Sequence, residues 1–189
     1  MRATVALSSD MRENPCEFPS GGPVARREAV RKLHALTVCD NATAFSALLP
    51  ANGSLLALDV SKRRIGMAGT DQDRRMATPI ATFERSGGPK DVERIRAVQL
   101  QRLAVGVVVG LPLNMDGSEG PMAKAARAEA ARFAAALGLP VLLQDERLST
   151  FAVEDAIAEG RLPKPRKGQP VDHYAAAVIL EDALRMLQG

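Results

Sequence analysis

Hydrophobic residues follow a regular pattern from Ser54 onward, and the first part of this pattern predicts antiparallel strands. The continuous apolar run SLLALDV at 54–60 is typical of a buried strand, and RIGMAGT at 64–70 alternates as a second strand would. ATPIATFER at 77–85 supplies a third strand, and Pro79 favours the edge of a sheet because proline cannot donate a backbone hydrogen bond. We expect these segments to form a three-stranded meander.

Helices and parallel strands are predicted after the meander. KDVERIRAVQLQRLA at 90–104 has helical spacing, and the short apolar run VGVVVGLP at 105–112 follows as a strand. An Ala-rich helix at 120–138, with glycine at both ends, precedes a buried strand in LPVLLQDE at 139–146. Two more helices are predicted, one at 148–160 with Ser149 or Thr150 as its N-cap and Gly160 at its end, and one at 171–187.

The order of these elements, βββαβαβαα, predicts an α/β fold. We expect a mixed five-stranded sheet, in which a three-stranded antiparallel meander is followed by parallel strands, with helices on its faces. This is the RNase H-like arrangement. In it the strand at 54–60 lies centrally, so its carboxyl end neighbours the end of the strand at 105–110 and, one strand further, the end of the strand at 139–144.

Residues 1–50 read differently from the rest of the chain. Prolines and glycines interrupt any pattern there, and only 24–36 has helical spacing. We therefore predict an N-terminal extension at 1–50, poorly ordered or with one short helix, and a single domain at 54–187. Cys16 and Cys39 lie in the extension and are interpreted as free thiols, because they and His34 lack the close spacing of a structural zinc site.

Composition limits the function classes. No apolar run approaches the roughly 20 residues that cross a bilayer, and the first 50 residues lack the apolar core of a signal peptide, so we expect a cytoplasmic protein without a membrane partner. The formal net charge of +3 permits a polyanionic partner but does not require one. With 3% aromatic residues and no Trp, the chain is poorly supplied with surfaces on which single-stranded bases could stack.

Three carboxylates stand at the ends of predicted elements. Asp59 closes the apolar run at 54–60, Glu146 closes LPVLLQDE, and Asp172 opens the last helix. Such acids repel one another unless a cation lies between them, and carboxylate oxygens suit Mg²⁺ or Mn²⁺. The alternative for any one of them is a helix cap or a surface ion pair, above all for Asp172, because a first helical turn favours negative charge.

Basic and polar residues near these acids are candidates for phosphate contacts. Five are predicted to bind nucleic acid: Lys62, Arg64, Asn114, Arg147 and Lys167. Asn114 lies in the loop NMDGSEGP before a helix N-terminus, where free N–H groups attract anions. The alternatives are solvated loop charge for the cations and ordinary turn chemistry for Asn114. His173 is left out because one helical step turns it about 100° away from Asp172.

Four sequence motifs between residues 54 and 187 resemble those of a known family. LLALDVSKRRIGMAGTD, VVVGLPLNMDGSEGP, DERLST and VDHYAAAVIL, in this order, resemble the YqgF family of pre-16S rRNA nucleases, also known as RuvX-type Holliday junction resolvase homologues. The resemblance covers about residues 54–187. It implies an RNase H-like fold, a bacterial cytoplasmic location and processing of the 5′ end of the 16S rRNA precursor, with Asp59, Glu146 and Asp172 at the family's acidic positions.

A metal-dependent hydrolase acting on phosphodiester bonds is the function that this resemblance implies. By analogy with the fold, Asp59 would bridge two metal ions, and Glu146 and Asp172 would each complete one. The expected partner is structured RNA in the pre-ribosome, bound by a monomer or a homodimer. One departure from the family is Ser61, since D-x-G is the usual sequence and glycine there would ease a tight turn.

Three other functions are alternatives to a pre-16S rRNA nuclease. A Holliday junction resolvase would use the same chemistry on branched DNA, with two active sites presented by a dimer. A catalytically silent RNA-binding module becomes more credible if Ser61 strains the turn. Sugar kinases and actin-like ATPases share the fold, but about 135 residues leave no room for their second domain, and the chain has no GxxxxGK[ST] phosphate loop.

Overall fold

The computed structural model describes residues 37–147, 155, 157–160 and 171–188. Lys167, Ser149, Thr150, Cys16, His34 and the predicted helical stretch 24–36 lie outside these residues. None of the helices in the described part is both long enough and apolar enough to cross a membrane.

The described residues contain one mixed sheet of six strands. Their bounds are β1 Val38–Cys39, β2 Ser54–Val60, β3 Arg64–Thr70, β4 Ala77–Glu84, β5 Ala104–Leu111 and β6 Val141–Asp145. The order across the sheet is β1-β6-β5-β2-β3-β4, with β2, β3 and β4 antiparallel and the other pairs parallel. The predicted meander, the central place of β2 and the edge position of β4, which contains Pro79, are confirmed. The strand order is that of the RNase H-like fold.

Four helices have defined bounds: α1 Ala42–Ser46, α2 Pro89–Arg102, α3 Pro121–Leu137 and α4 Asp172–Gln188. Gly138 ends α3 with a φ of 70°, a conformation that suits glycine. Of the helix predicted at 148–160, residues 155, 157 and 158 are helical, and Gly160 has a φ of 74°. The predicted N-cap of that helix lies outside the described residues.

Alternation along the strands divides the core into two layers. Leu55 and Ala57 of β2 face α4, whereas Leu58 belongs to the layer covered by α2 and α3, which includes Ile95 and Phe133. Neighbouring residues of a strand point to opposite faces of a sheet, so the same rule assigns Asp59 to the α4 face. The central strands are buried on both faces, which explains their nearly continuous apolar sequences.

A sixth strand, β1, was not predicted. Val38 pairs with Val141 in parallel, and Asn41 caps α1 by accepting a hydrogen bond from the Ala44 N–H at 2.8 Å. Phe45 of α1 is fully buried in the layer that faces α4. Residues 37–50, assigned by sequence to the N-terminal extension, thus add a strand and a short helix to the sheet. Two paired residues are too few to leave a periodic signal.

Candidate active site

The Asp59 carboxylate lies at the carboxyl end of β2, beside the start of α4. Its neighbour across the hairpin is Gly66 of β3. A Cβ atom on Gly66 would lie 2.1 Å from the backbone oxygen of Asp172, a separation that real atoms do not tolerate. Glycine at 66 therefore allows the first turn of α4 to rest directly on the sheet, and this brings Asp172 next to Asp59.

The Glu146 carboxylate reaches the same place from the opposite side. Glu146 follows β6, and its N–H donates to the Leu111 carbonyl at 3.3 Å. A Cβ atom on Gly110 would lie 2.2 Å from Glu146 Oε2, so the side chain lies across the end of β5. Since β5 lies between β6 and β2, this path directs the carboxylate toward Asp59.

Electrostatics show that these acids interact. Burial raises the pKa of Asp59 to about 6, aided by the charge of Asp172 and opposed by that of Arg64. Burial also raises the pKa of Glu146 to about 7, with further contributions from the charges of Asp59 and Asp145. Burial and like charge both disfavour the ionised form of a carboxyl group. A cation between Asp59 and Glu146 would remove this repulsion.

The Asp172 carboxylate is already paired. Arg64, the first residue of β3, donates from Nε to Asp172 Oδ2 at 2.9 Å. The Asp172 side chain is 11% exposed and that of Arg64 is 44% exposed. Sequence analysis assigned Arg64 to nucleic acid and did not anticipate this ion pair, because the two residues are 108 positions apart.

The donor atoms fit a hard divalent cation, but they are not yet arranged around one. Within residues 37–147, 155, 157–160 and 171–188, no three Asp, Glu, His or Cys side chains lie close enough together to hold a metal ion. Asp59 and Glu146 offer carboxylate oxygens without a cationic hydrogen-bond partner in the same residues, and such oxygens suit Mg²⁺ or Mn²⁺. The third acid, Asp172, is adjacent but is bound to Arg64.

Comparison with known proteins identifies the family. A family model described as RuvX, Holliday junction resolvase, matches residues 53–186. The chain belongs to the RuvX family. A relative from Cereibacter sphaeroides strain ATCC 17025 is 46% identical over 143 residues, which span 76% of this chain and 89% of the relative. A relative from Rhodopseudomonas palustris strain BisB5 is 46% identical over 138 residues, 73% of this chain and 86% of the relative.

Both relatives carry the name "Putative pre-16S rRNA nuclease". Among solved structures, T. thermophilus RuvC in complex with a Holliday junction substrate matches at a TM-score of 0.48 with 19% identity, over 72% of this chain and 96% of that chain. At this distance the structural likeness carries no functional argument.

The turn at Ser61, where this RuvX chain departs from D-x-G, is not strained. Positive φ values among the described non-glycine residues occur at Arg74 and Leu103, and Ser61 is not one of them. The Ser61 hydroxyl accepts a hydrogen bond from the Arg64 N–H at 3.0 Å and donates to the Arg64 carbonyl at 3.0 Å. Serine therefore closes the β2–β3 turn by its own hydrogen bonds, and the conformational reason to expect glycine does not apply here.

Arg85, which the sequence analysis did not single out, stabilises the β2–β3 turn through a hydrogen bond to its backbone. Arg85 Nη1 donates to the Ser61 carbonyl at 3.2 Å, and Arg85 also pairs with Asp91 at 3.3 Å and with Glu129 at 3.0 Å. Asp91 is fully buried at the start of α2 and accepts further hydrogen bonds from two backbone N–H groups. An Asp in the first turn of a helix after Gly-Gly-Pro was the available signal, but it indicated only a favourable helix start.

The loop between β5 and α3 is held by its own polar side chains. Asn114 Nδ2 donates to Ser118 Oγ at 2.9 Å, and Asp116 accepts a hydrogen bond from the Ser118 N–H at 2.9 Å. Arg147 pairs with Asp145 at 2.7 Å. Asn114 and Arg147 thus both have structural partners, as the alternative of turn chemistry anticipated for Asn114. A phosphate contact for either residue stays a prediction, as it does for Lys62, which is exposed in the β2–β3 turn.

His173 faces a different group from the acids. Its ring Nδ1 forms a hydrogen bond with Thr82 Oγ1 at 2.9 Å, and its backbone N–H donates to the same oxygen at 3.1 Å. The side chain therefore anchors α4 to the edge strand β4.

Proposed function

We propose that this RuvX protein is a divalent-metal-dependent nuclease that processes the 5′ end of pre-16S rRNA in the bacterial cytoplasm. The names of its relatives support the substrate, since both are named for pre-16S rRNA and align over most of their length. The proposed catalytic and metal-binding residues are Asp59, Glu146 and Asp172.

One observation carries the proposal: Asp59 and Glu146 converge from two strands, and among the described residues neither carboxylate has a cationic hydrogen-bond partner. Both carboxyl groups have a pKa raised by burial and by neighbouring acids, to about 6 and about 7. Strongly perturbed carboxyl groups at the carboxyl edge of an α/β sheet are typical of catalytic sites. Gly110 leaves room for the Glu146 carboxylate, and Gly66 leaves room for the first turn of α4, which carries Asp172.

The chemistry follows from this charge arrangement. Bound Mg²⁺ or Mn²⁺ would lower the pKa of a water and stabilise the leaving oxygen. Asp59, at the end of the central strand β2, would hold the ions together with Glu146 and Asp172, whose carboxylates would complete the metal site from the neighbouring elements.

Positive charge beside the acids supports binding of a polynucleotide. Lys62 and Arg64 lie on the turn and strand next to Asp59, and Arg147 lies directly after Glu146. Arg147 is tethered to Asp145, which would hold its guanidinium in place for a flanking phosphate. Asn114 lies in the loop that Arg147 contacts through the Met115 carbonyl at 3.5 Å. Lys167 completes the proposed set from outside the described residues.

A second candidate is resolution of Holliday junctions, favoured by the description of the matching family model. This function would require two active sites, and hence a homodimer. The silent RNA-binding module loses its main support, because the Ser61 turn is formed without strain.

The test is a cleavage assay on two substrates with the full chain. Pre-16S rRNA and a four-way DNA junction are incubated with the protein in Mg²⁺, in Mn²⁺ and in EDTA. Metal-dependent cleavage at the mature 5′ end of the rRNA is the expected result, and it should be lost in Asp59→Asn. The matched control is Asp73→Asn, which removes a carboxylate that is paired with Arg75 at the other end of β3.

Two outcomes would change the proposal. Cleavage restricted to the DNA junction would replace it with the resolvase function. Binding of pre-16S rRNA without any cleavage in either metal would show a silent RNA-binding module.

A further inference from the structure

The ion pair between Arg64 and Asp172 places a cation of the protein itself in the acidic site. Arg64 Nε donates to Asp172 Oδ2 at 2.9 Å, and the carboxylate is almost fully buried while the guanidinium side chain is about half exposed. Lys62 and Arg63, on the same turn, form no ion pair with an acid of the described ranges 37–147 and 171–188. Among the described residues, Arg64 is therefore the cation of this turn that pairs with an acid of the site.

The positive charge of Arg64 offsets negative charge near Asp59 and Asp172 but not near Glu146. Asp59 experiences the opposing charges of Asp172 and Arg64, whereas the charges that act on Glu146 are those of two other acids, Asp59 and Asp145. The Asp172 backbone is fixed by its close contact with Gly66, so Asp172 cannot leave the site as a unit. Arg64 has a long side chain with access to solvent and can move away without any change in the backbone.

We propose that Arg64 is an internal counter-ion of Asp172 which a divalent metal ion displaces. Displacement would free the Asp172 carboxylate to bind the metal ion. It would also free the Arg64 guanidinium to bind a phosphate of the nucleic acid. The inference rests on the metal-dependent function proposed above. It assigns Arg64 two successive partners, where the sequence analysis gave it only the nucleic acid.

Competition follows from this exchange. A metal ion that takes the oxygen Asp172 Oδ2 must first break a charged hydrogen bond, so the ion pair lowers the metal affinity of the wild-type protein. Without metal, the same pair stabilises three acids that otherwise repel one another. Removing the guanidinium should therefore change metal affinity and metal-free stability in opposite directions, a combination that simple loss of a structural contact does not produce.

The first experiment is calorimetric titration of the metal-free full chain with Mn²⁺. Arg64→Gln should bind Mn²⁺ about 3- to 10-fold more tightly than wild type, the range expected for a partly exposed ion pair. Its thermal midpoint in EDTA should be lower than that of wild type. Arg63→Gln removes the neighbouring cation and should match wild type in both measurements. Unchanged or weaker Mn²⁺ affinity in Arg64→Gln would overturn the proposal.

The second experiment needs only one labelled protein and covers the case in which Arg64→Gln does not fold. In ¹⁵N-labelled wild type without metal, the hydrogen-bonded Arg64 Nε–H should give a resolved signal in the arginine side-chain region. Mg²⁺ should weaken or shift this signal at the concentrations at which it binds. A signal that is unaffected at saturating Mg²⁺ would show that the ion pair persists, and the proposal would be wrong.

The results also separate this inference from the proposed function. If the protein cleaves pre-16S rRNA with metal but Arg64→Gln gains no affinity, the nuclease function stands and the exchange is excluded. If wild type binds no Mn²⁺ and cleaves nothing, both fail.

Discussion

Two groups of buried acids in this protein are treated in opposite ways. Asp91, at the start of α2, is fully buried but has an arginine and two backbone N–H groups as partners. Burial alone would raise the pKa of Asp91, but the hydrogen bonds from Ser86, Arg85 and Gly87 outweigh it and lower the pKa. Asp59 and Glu146 have no cationic hydrogen-bond partner among the described residues, and burial together with neighbouring acids raises their pKa values to about 6 and about 7.

The difference shows that the hydrogen-bond partners of a buried carboxylate indicate its role. A carboxylate with donors on every side is a structural element, since its charge is satisfied by the fold. A pair of carboxylates facing each other costs stability unless something from outside relieves the repulsion. Arg85 touches both regions, because it pairs with Asp91 and donates to the carbonyl of the turn beside Asp59.

The largest expected effect is on cleavage by Asp59→Asn. We expect the rate on pre-16S rRNA to fall at least about a thousand-fold, equivalent to about 4 kcal/mol of activation free energy. The metal-free protein should melt no lower than wild type, because the change removes one of the repelling charges. A variant that melts below wild type would show that the Asp59 carboxylate stabilises the fold, as the Asp91 carboxylate does.

Asp91→Asn should behave in the opposite way. Removing the buried charge of Asp91 costs about 3 kcal/mol of unfolding free energy, because the Arg85 guanidinium loses one of its two carboxylate partners. Urea denaturation measures this loss. The fraction that remains folded should cleave pre-16S rRNA at nearly the wild-type rate. A variant of normal stability with no activity would contradict the structural role of Asp91.

Gly66 and Gly110 leave room for two acids of the site, so alanine substitutions test how Asp172 and Glu146 are held. Gly66→Ala places a methyl group 2.1 Å from the Asp172 backbone oxygen and should cost about 2 kcal/mol or more of unfolding free energy. Gly110→Ala meets the flexible ends of Glu146 and Ile179, so its stability loss should be smaller. Displacement of the Glu146 carboxylate should nevertheless reduce cleavage about 10- to 100-fold. If Gly66→Ala and Gly110→Ala changed stability and cleavage equally, Gly66 would not be mainly structural and Gly110 would not mainly position Glu146.

The raised pKa of Glu146 makes the stability of the fold depend on pH. An unfolded Glu146 loses its proton near pH 4.5, whereas the folded one holds it to about 7. Stability contributed by this group is therefore present below pH 4.5 and is lost as the pH rises through about 7. In EDTA, Glu146→Gln should melt about 4 °C above wild type at pH 8, and the gain should shrink toward pH 5.

A matched control for this measurement is Glu93→Gln on the exposed face of α2, which should change the melting temperature little at either pH. A melting temperature of Glu146→Gln that stays at the wild-type value from pH 5 to pH 8 would contradict the raised pKa.

The smallest effect is expected at Ser61, between the two regions. Ser61→Gly removes the hydroxyl that closes the β2–β3 turn and should cost about 0.5–1 kcal/mol of unfolding free energy. Cleavage should stay within about twofold of wild type, since the turn has no positive φ to relieve. A large gain in activity would mean that serine does restrict the site.

Much of the fold could be predicted because its signals are local. Alternation and apolar runs located the five principal strands, and Pro79 placed β4 at the edge. Strand β1 was missed because two paired residues carry no period. The prediction that Asp59, Glu146 and Asp172 lie at element ends depended on the same local signals. The closeness of Asp59 and Glu146 then followed from the strand order.

The order of the elements, the strand ends and the family could be inferred from the sequence, since each of these depends on residues close together in the chain. Which charges meet depends on the tertiary fold. The Arg64–Asp172 pair joins residues 108 positions apart, and no periodicity distinguishes Arg64 from Arg63 as its partner. The contrast between Asp91 and Asp59 is of the same kind, because the charge state of a carboxylate depends on the groups around it in space.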